Sequence, residues 1–71
     1  MKNEKVTIKT EYIKLDSLLK FAGAAPTGGM AKEIIESGAV SCNGEQELRR
    51  GRKIRPGDKV IVDGLIEIEV E

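Results

Sequence analysis

Polar and apolar residues alternate along Lys5-Val6-Thr7-Ile8-Lys9-Thr10, and the apolar positions are β-branched. That period of two predicts a half-buried strand. The period then changes. Leu15, Leu18, Leu19 and Ala22 fall at i, i+3, i+4 and i+7, one face of a helix. Asp16 suits the positive end of that helix, and Gly23 stops it. Pro26 breaks the chain, and Thr27 is the N-cap candidate for a second helix that buries Ala31, Ile34 and Ile35. Gly38 suits the left-handed position that ends it.

The remaining pattern is β. Ala39 to Cys42 is a short apolar run, and Asn43-Gly44 is the strongest short signal for a two-residue hairpin. A further short strand fits Glu45 to Leu48. Pro56-Gly57-Asp58 marks a turn, Lys59 to Val62 a strand, and Asp63-Gly64 another turn. Leu65 to Val70 alternates again, with Leu65 out of step. Glu67, Glu69 and Glu71 share the solvent face of this last strand, where they oppose pairing at a sheet end. The order is β-α-α followed by β-strands, an α+β fold with two short helices packed on a small, mostly antiparallel β-sheet.

Composition narrows the chemistry. Seventy-one residues make a single domain, 1–71, that buries only about 60% of its unfolded surface. A deep, water-excluding active site has little room. There is no histidine and a single cysteine, Cys42. An intrachain disulfide, a Cys/His zinc site and Ser-His or Cys-His catalysis are therefore all excluded, and the chain reads as a non-enzyme. Cys42 itself reads as a small strand residue in the core. No apolar run spans a membrane, and the start Met1-Lys2-Asn3-Glu4-Lys5 lacks the apolar stretch of a signal peptide. The expectation is a cytoplasmic monomer without cofactor or metal.

Charge singles out one segment. The chain carries 12 basic and 12 acidic residues, yet Arg49-Arg50-Gly51-Arg52-Lys53-Ile54-Arg55 holds five cations and no acid. Concentrated positive charge on a neutral body reads as a docking surface for phosphate. Arginine suits that task through its planar fork, and Gly51 lets a backbone approach. The bland alternative is a solvated loop whose mutual repulsion is relieved by nearby carboxylates, with Glu45 and Glu47 as candidates. Tyr12 and Phe21, the only aromatic residues, read as core rather than as a base-stacking platform.

Several short motifs occur in an order that resembles the S4 RNA-binding domain. Lys14-Leu15-Asp16-Ser17-Leu18-Leu19 is similar to the family's Arg-Leu-Asp-x-x-Leu opening of the first helix, with lysine in place of arginine. Thr27-Gly28-Gly29-Met30-Ala31-Lys32 stands where the family has a Ser-Arg-x-x-Ala-Lys type motif. Ile35-x-x-Gly38-x-Val40-x-x-Asn43-Gly44 and Lys53-Ile54-x-Pro56-Gly57-Asp58-x-Val60 match the later strand and turns. The resemblance covers about residues 14 to 62, and Thr27 to Lys32 and Arg49 to Lys53 look like the small stand-alone S4 proteins of the YaaA/YbcJ type. It implies a small S4-like (alpha-L) fold and a protein that docks structured RNA, with ribosomal RNA or an assembling ribosomal subunit as the target.

The candidate RNA-binding residues are then Lys14, Lys20, Thr27, Gly28, Gly29, Lys32, Arg49, Arg50, Arg52, Lys53 and Arg55. Thr27-Gly28-Gly29 offers a hydroxyl and free N–H groups at a helix start, which suits phosphate, though it fits a plain helix cap as well. The P-loop spacing is absent. Lys32 should face solvent, free or paired with Glu36 one turn on. Lys14 and Lys20 lie beside the first helix, where lysines are usually just solvated. The competing reading is a protein-interaction module or a β-grasp-like carrier without RNA binding. A carrier needs a flexible Gly-Gly end, and the sequence closes on Glu69-Val70-Glu71.

Overall fold

The computed structural model describes all residues, 1–71. Its elements in chain order are β1 (Lys2–Val6), β2 (Ile13–Lys14), α1 (Leu15–Phe21), α2 (Gly28–Glu36), β3 (Val40–Cys42), β4 (Glu45–Gln46), β5 (Lys53–Ile54), β6 (Lys59–Val62) and β7 (Ile66–Val70). Five strands form one sheet in the order β1-β7-β6-β3-β4, antiparallel except for the β1–β7 pair. A second, two-stranded sheet joins β2 to β5.

Both periodicities predicted from sequence converge on one core. Leu15, Leu18 and Leu19 of α1 and Ala31 and Ile35 of α2 are fully buried. They pack in the same cluster as Val40, Cys42, Val60, Val62, Ile66, Ile68 and Val70, the inward residues of the sheet. Thr27 caps α2, its Oγ1 accepting from the Met30 N–H at 3.1 Å. Gly23 and Gly38 close the two helices at φ +79 and +89.

The turns are held by side chains as well as by backbone preference. Asn43 and Gly44 both have positive φ, as a type I′ hairpin requires. Asn43 Nδ2 donates to Asp58 Oδ1 at 3.1 Å, and Asn43 Oδ1 accepts from the Lys59 N–H at 3.0 Å. Asp58 Oδ2 in turn accepts from the Arg55 N–H at 2.8 Å. The hairpin tip is thus tied to the Pro56-Gly57 turn, which leads into β6.

Four expectations need correction. The first strand is Lys2–Val6, not Lys5 to Thr10. Its partner β7 stops at Val70, opposite Val6, and beyond that pair only Glu71 continues the contact, its N–H donating to Val6 O and its carbonyl accepting from the Ile8 N–H, both at 2.9 Å. β7 is not a sheet edge, since it lies between β1 and β6, and Glu69 sits between Lys5 and Lys59 in register. Phe21 is outside the core, 71% exposed, while Tyr12 is half-buried. Finally, the Arg49 to Arg55 stretch is not a free loop, because it contributes β5.

Asn43→Gly should cost about 1 kcal/mol, because it keeps the positive φ but removes both side-chain hydrogen bonds. Asn43→Ala should cost roughly 1 kcal/mol more by adding left-handed strain. Urea unfolding midpoints check the pair. Equal losses would mean that backbone strain is not involved.

Candidate nucleic-acid interface

The basic segment is organised by one carboxylate. Glu47 follows β4 and is the only buried charged residue, 6% exposed. Its Oε2 accepts from the Leu48 N–H, the Arg49 N–H and Arg49 Nε at 3.0, 3.1 and 3.0 Å. Its Oε1 accepts from Arg49 Nη2 and Arg52 Nη1, both at 3.0 Å. Five donors converge on two oxygens, and one arginine binds as a bidentate fork. Hydrogen bonding from Arg49 pulls the Glu47 carboxyl from its ordinary 4.5 down to about 2, with the Arg49 N–H and Arg52 assisting against the opposing effect of burial. The same bonds raise the pKa of Arg49 and Arg52. Of the two carboxylates expected to relieve the cation cluster, Glu47 does so and Glu45 is exposed.

The segment also completes α1. That helix has no side-chain cap at Lys14. Its first N–H groups are instead taken by backbone carbonyls of the basic segment: Leu15 N donates to Arg52 O at 2.9 Å and Asp16 N to Arg50 O at 3.0 Å. Asp16 Oδ2 then accepts from Arg50 Nε at 2.8 Å. Residues 34 apart in sequence are locked together, and Arg50 is turned towards α1.

What remains is an open concavity of about 590 Å³ lined by Arg49, Gly51, Arg52, Lys53 and Arg55. No carboxylate is among its lining residues. Lys53 and Arg55 make no ion pair. The Lys53 ammonium lies 5.0 Å from the centroid of the Tyr12 ring. Lys53 also stands directly opposite Lys14 in the β2–β5 ladder, a like-charge placement that costs stability unless an anion offsets it. Gly51 has ordinary φ, and a Cβ there would meet nothing, so no internal contact demands a glycine.

The other candidates lie elsewhere. Lys20 lines a separate depression on α1. Thr27, Gly28 and Gly29 open α2, with the Thr27 hydroxyl committed to the cap. A Cβ on Gly28 would touch nothing, and one on Gly29 would reach only Thr27 Oγ1 at 3.9 Å. Lys32 is exposed and makes no ion pair with Glu36. Sequence reasoning missed Asp16 and Tyr12 as supports of the basic segment, since only long-range folding brings them to it. Cys42 is buried, and that burial raises its thiol pKa, as for an inert core residue.

The basic segment thus meets the start of α1, one of two helices that pack together over this sheet. The S4 domain family matches residues 6–71, and the chain belongs to that family. Among its relatives is a protein of Bacillus subtilis (strain 168) named "Probable ribosome maturation protein RlbA", 40% identical over 65 residues, covering 92% of each chain. No helix is long and apolar enough to cross a membrane.

Because the folded pKa of Glu47 is depressed, its contribution to stability is complete above about pH 4.5 and is lost as pH falls towards about 2. Glu47→Gln should flatten that part of the acid-unfolding curve. It should also cost about 2 kcal/mol at neutral pH. That is less than for orphaning a fully buried charge, because the Arg49 side chain is mostly exposed and can turn to water. Urea unfolding of both proteins between pH 2 and 7 measures this. Parallel pH profiles would mean that the carboxylate does not hold the segment.

Proposed function

We infer that this chain is a non-enzymatic, cytoplasmic RNA-binding protein that docks structured RNA, and that its target is ribosomal RNA in an assembling ribosomal subunit. The observation that carries the reading is the cleft whose side chains are all cationic, on a molecule of zero net charge. Family membership and the name of the Bacillus relative support RNA and ribosome assembly as the setting.

Lys53, Arg55 and Lys14 are the primary phosphate contacts, since none of them has an acidic partner. Arg49 and Arg52 offer the guanidinium donors left over from Glu47. Arg50 acts through its remaining donors and through the shape it gives the segment. Gly51 lets the RNA backbone come close. Thr27, Gly28 and Gly29 present helix-start N–H groups to a second phosphate, with Lys32 as a flanking charge, and Lys20 adds positive charge from its own depression on α1. Docking is electrostatic, so affinity falls steeply with salt as counterions are displaced. The chain works as a single monomeric domain without a cofactor.

Charge reversal at Arg50 or Arg52 would damage the fold as well as the cleft, so the decisive variants are Lys53→Glu and Arg55→Glu. Filter binding to a structured ribosomal RNA fragment at several salt concentrations should show weaker binding. The salt slope should be reduced by about 1 for each cation that contacts phosphate. Unchanged affinity and slope in the double variant would sink the cleft as the RNA site.

The glycines give an independent check. Gly28→Ala with Gly29→Ala should leave stability unchanged or raise it by roughly 0.5 kcal/mol per site, because alanine favours helix and both sites are open. The same pair should weaken RNA binding, read in the same assay. Full affinity in a stabilised protein would reduce this turn to a helix cap.

A further inference from the structure

Phe21 ends α1 with 71% of its surface exposed, although it is the only phenylalanine in the chain. Tyr12, the other aromatic residue, has Lys53 placed over its ring. Phe21 has no cationic partner of that kind, and most of its side chain is open to solvent. With Ile13, Ser17 and Lys20 it lines a second open depression of about 330 Å³. An exposed aromatic ring, an apolar neighbour, a hydroxyl and an unpaired ammonium meet there, and no carboxylate is among the lining residues.

The depression adjoins the basic cleft through two links. Ile13 precedes Lys14, which faces Lys53 of the cleft across the β2–β5 ladder. Ser17 follows Asp16, which holds Arg50. The two depressions are thus linked through neighbouring backbone positions of β2 and α1.

We propose that Phe21 is a stacking platform for one unpaired nucleobase, with Lys20 on the neighbouring phosphate. The preferred ligand is thus an RNA helix interrupted by a bulged or looped-out nucleotide, not an uninterrupted duplex. This rests on the RNA-docking reading above and adds a structural preference to it. Aromatic side chains take up splayed bases without needing a base-edge code, which suits a surface with few base-reading groups.

The test compares a stem carrying a single-nucleotide bulge with the same stem lacking it. Phe21→Ala should weaken binding of the bulged stem by about 10- to 100-fold and leave the plain stem nearly unchanged. Phe21→Tyr and Phe21→Trp should restore the preference and Phe21→Leu should not. Because the chain has no tryptophan, Phe21→Trp is also a lone fluorescence reporter, which a stacked base should quench on titration with the bulged stem. The proposal is overturned if Phe21→Ala affects both RNAs equally or neither. It is also overturned if leucine restores binding, or if the tryptophan is not quenched at saturation. Failure of the unaltered protein to bind either stem would instead overturn the RNA reading on which it stands.

Discussion

The Glu47 carboxylate is the contact on which the shape of the basic segment depends. A buried negative charge is tolerable only if its oxygens are filled with donors. Here the donors come from the segment that most needs an anion. The two backbone N–H groups fix how the chain leaves β4, and Arg49 and Arg52 fold back onto the same two oxygens. With the segment so bent, its carbonyls at Arg50 and Arg52 meet the open N-terminus of α1. One carboxylate therefore shapes the basic surface and, through it, completes a helix that lacks a cap of its own.

The cations thereby divide into two kinds. Arg49, Arg50 and Arg52 each spend part of their hydrogen-bonding capacity inside the protein, on Glu47 or Asp16. Lys14, Lys53 and Arg55 do not. Arginine is the residue able to do both, because its five donors can serve a carboxylate and still face outwards. A lysine at position 49 could not reproduce the fork. The arginines of the segment are therefore preorganised, their ordering entropy being met largely by folding.

Much of the fold is legible in local sequence. The leucine spacing of α1, the threonine cap of α2, Gly23 and Gly38 at helix ends, and Asn43-Gly44 at the hairpin each rest on interactions within a few residues. The glycines at 28, 29 and 51 have neither a positive φ nor a tight neighbour, so the chain's own packing does not require them. Phe21 was misread because an aromatic residue next to a leucine face looks like core. Its place on the helix points it elsewhere.

By itself the sequence determined the element order, the two amphipathic faces, the turn chemistry and the position of the clustered positive charge, because each follows from side-chain period, backbone preference or composition over a short span. Only the tertiary structure decided which of those cations are free. Glu47 turns back onto Arg49 and Arg52, and Asp16 meets Arg50 from far away in the chain. It also ended β1 at Val6, where its partner strand ends. The basic segment is the clearest case. Its charge was written in seven consecutive letters. Its shape was set by a carboxylate two residues before it and by a helix more than thirty residues upstream.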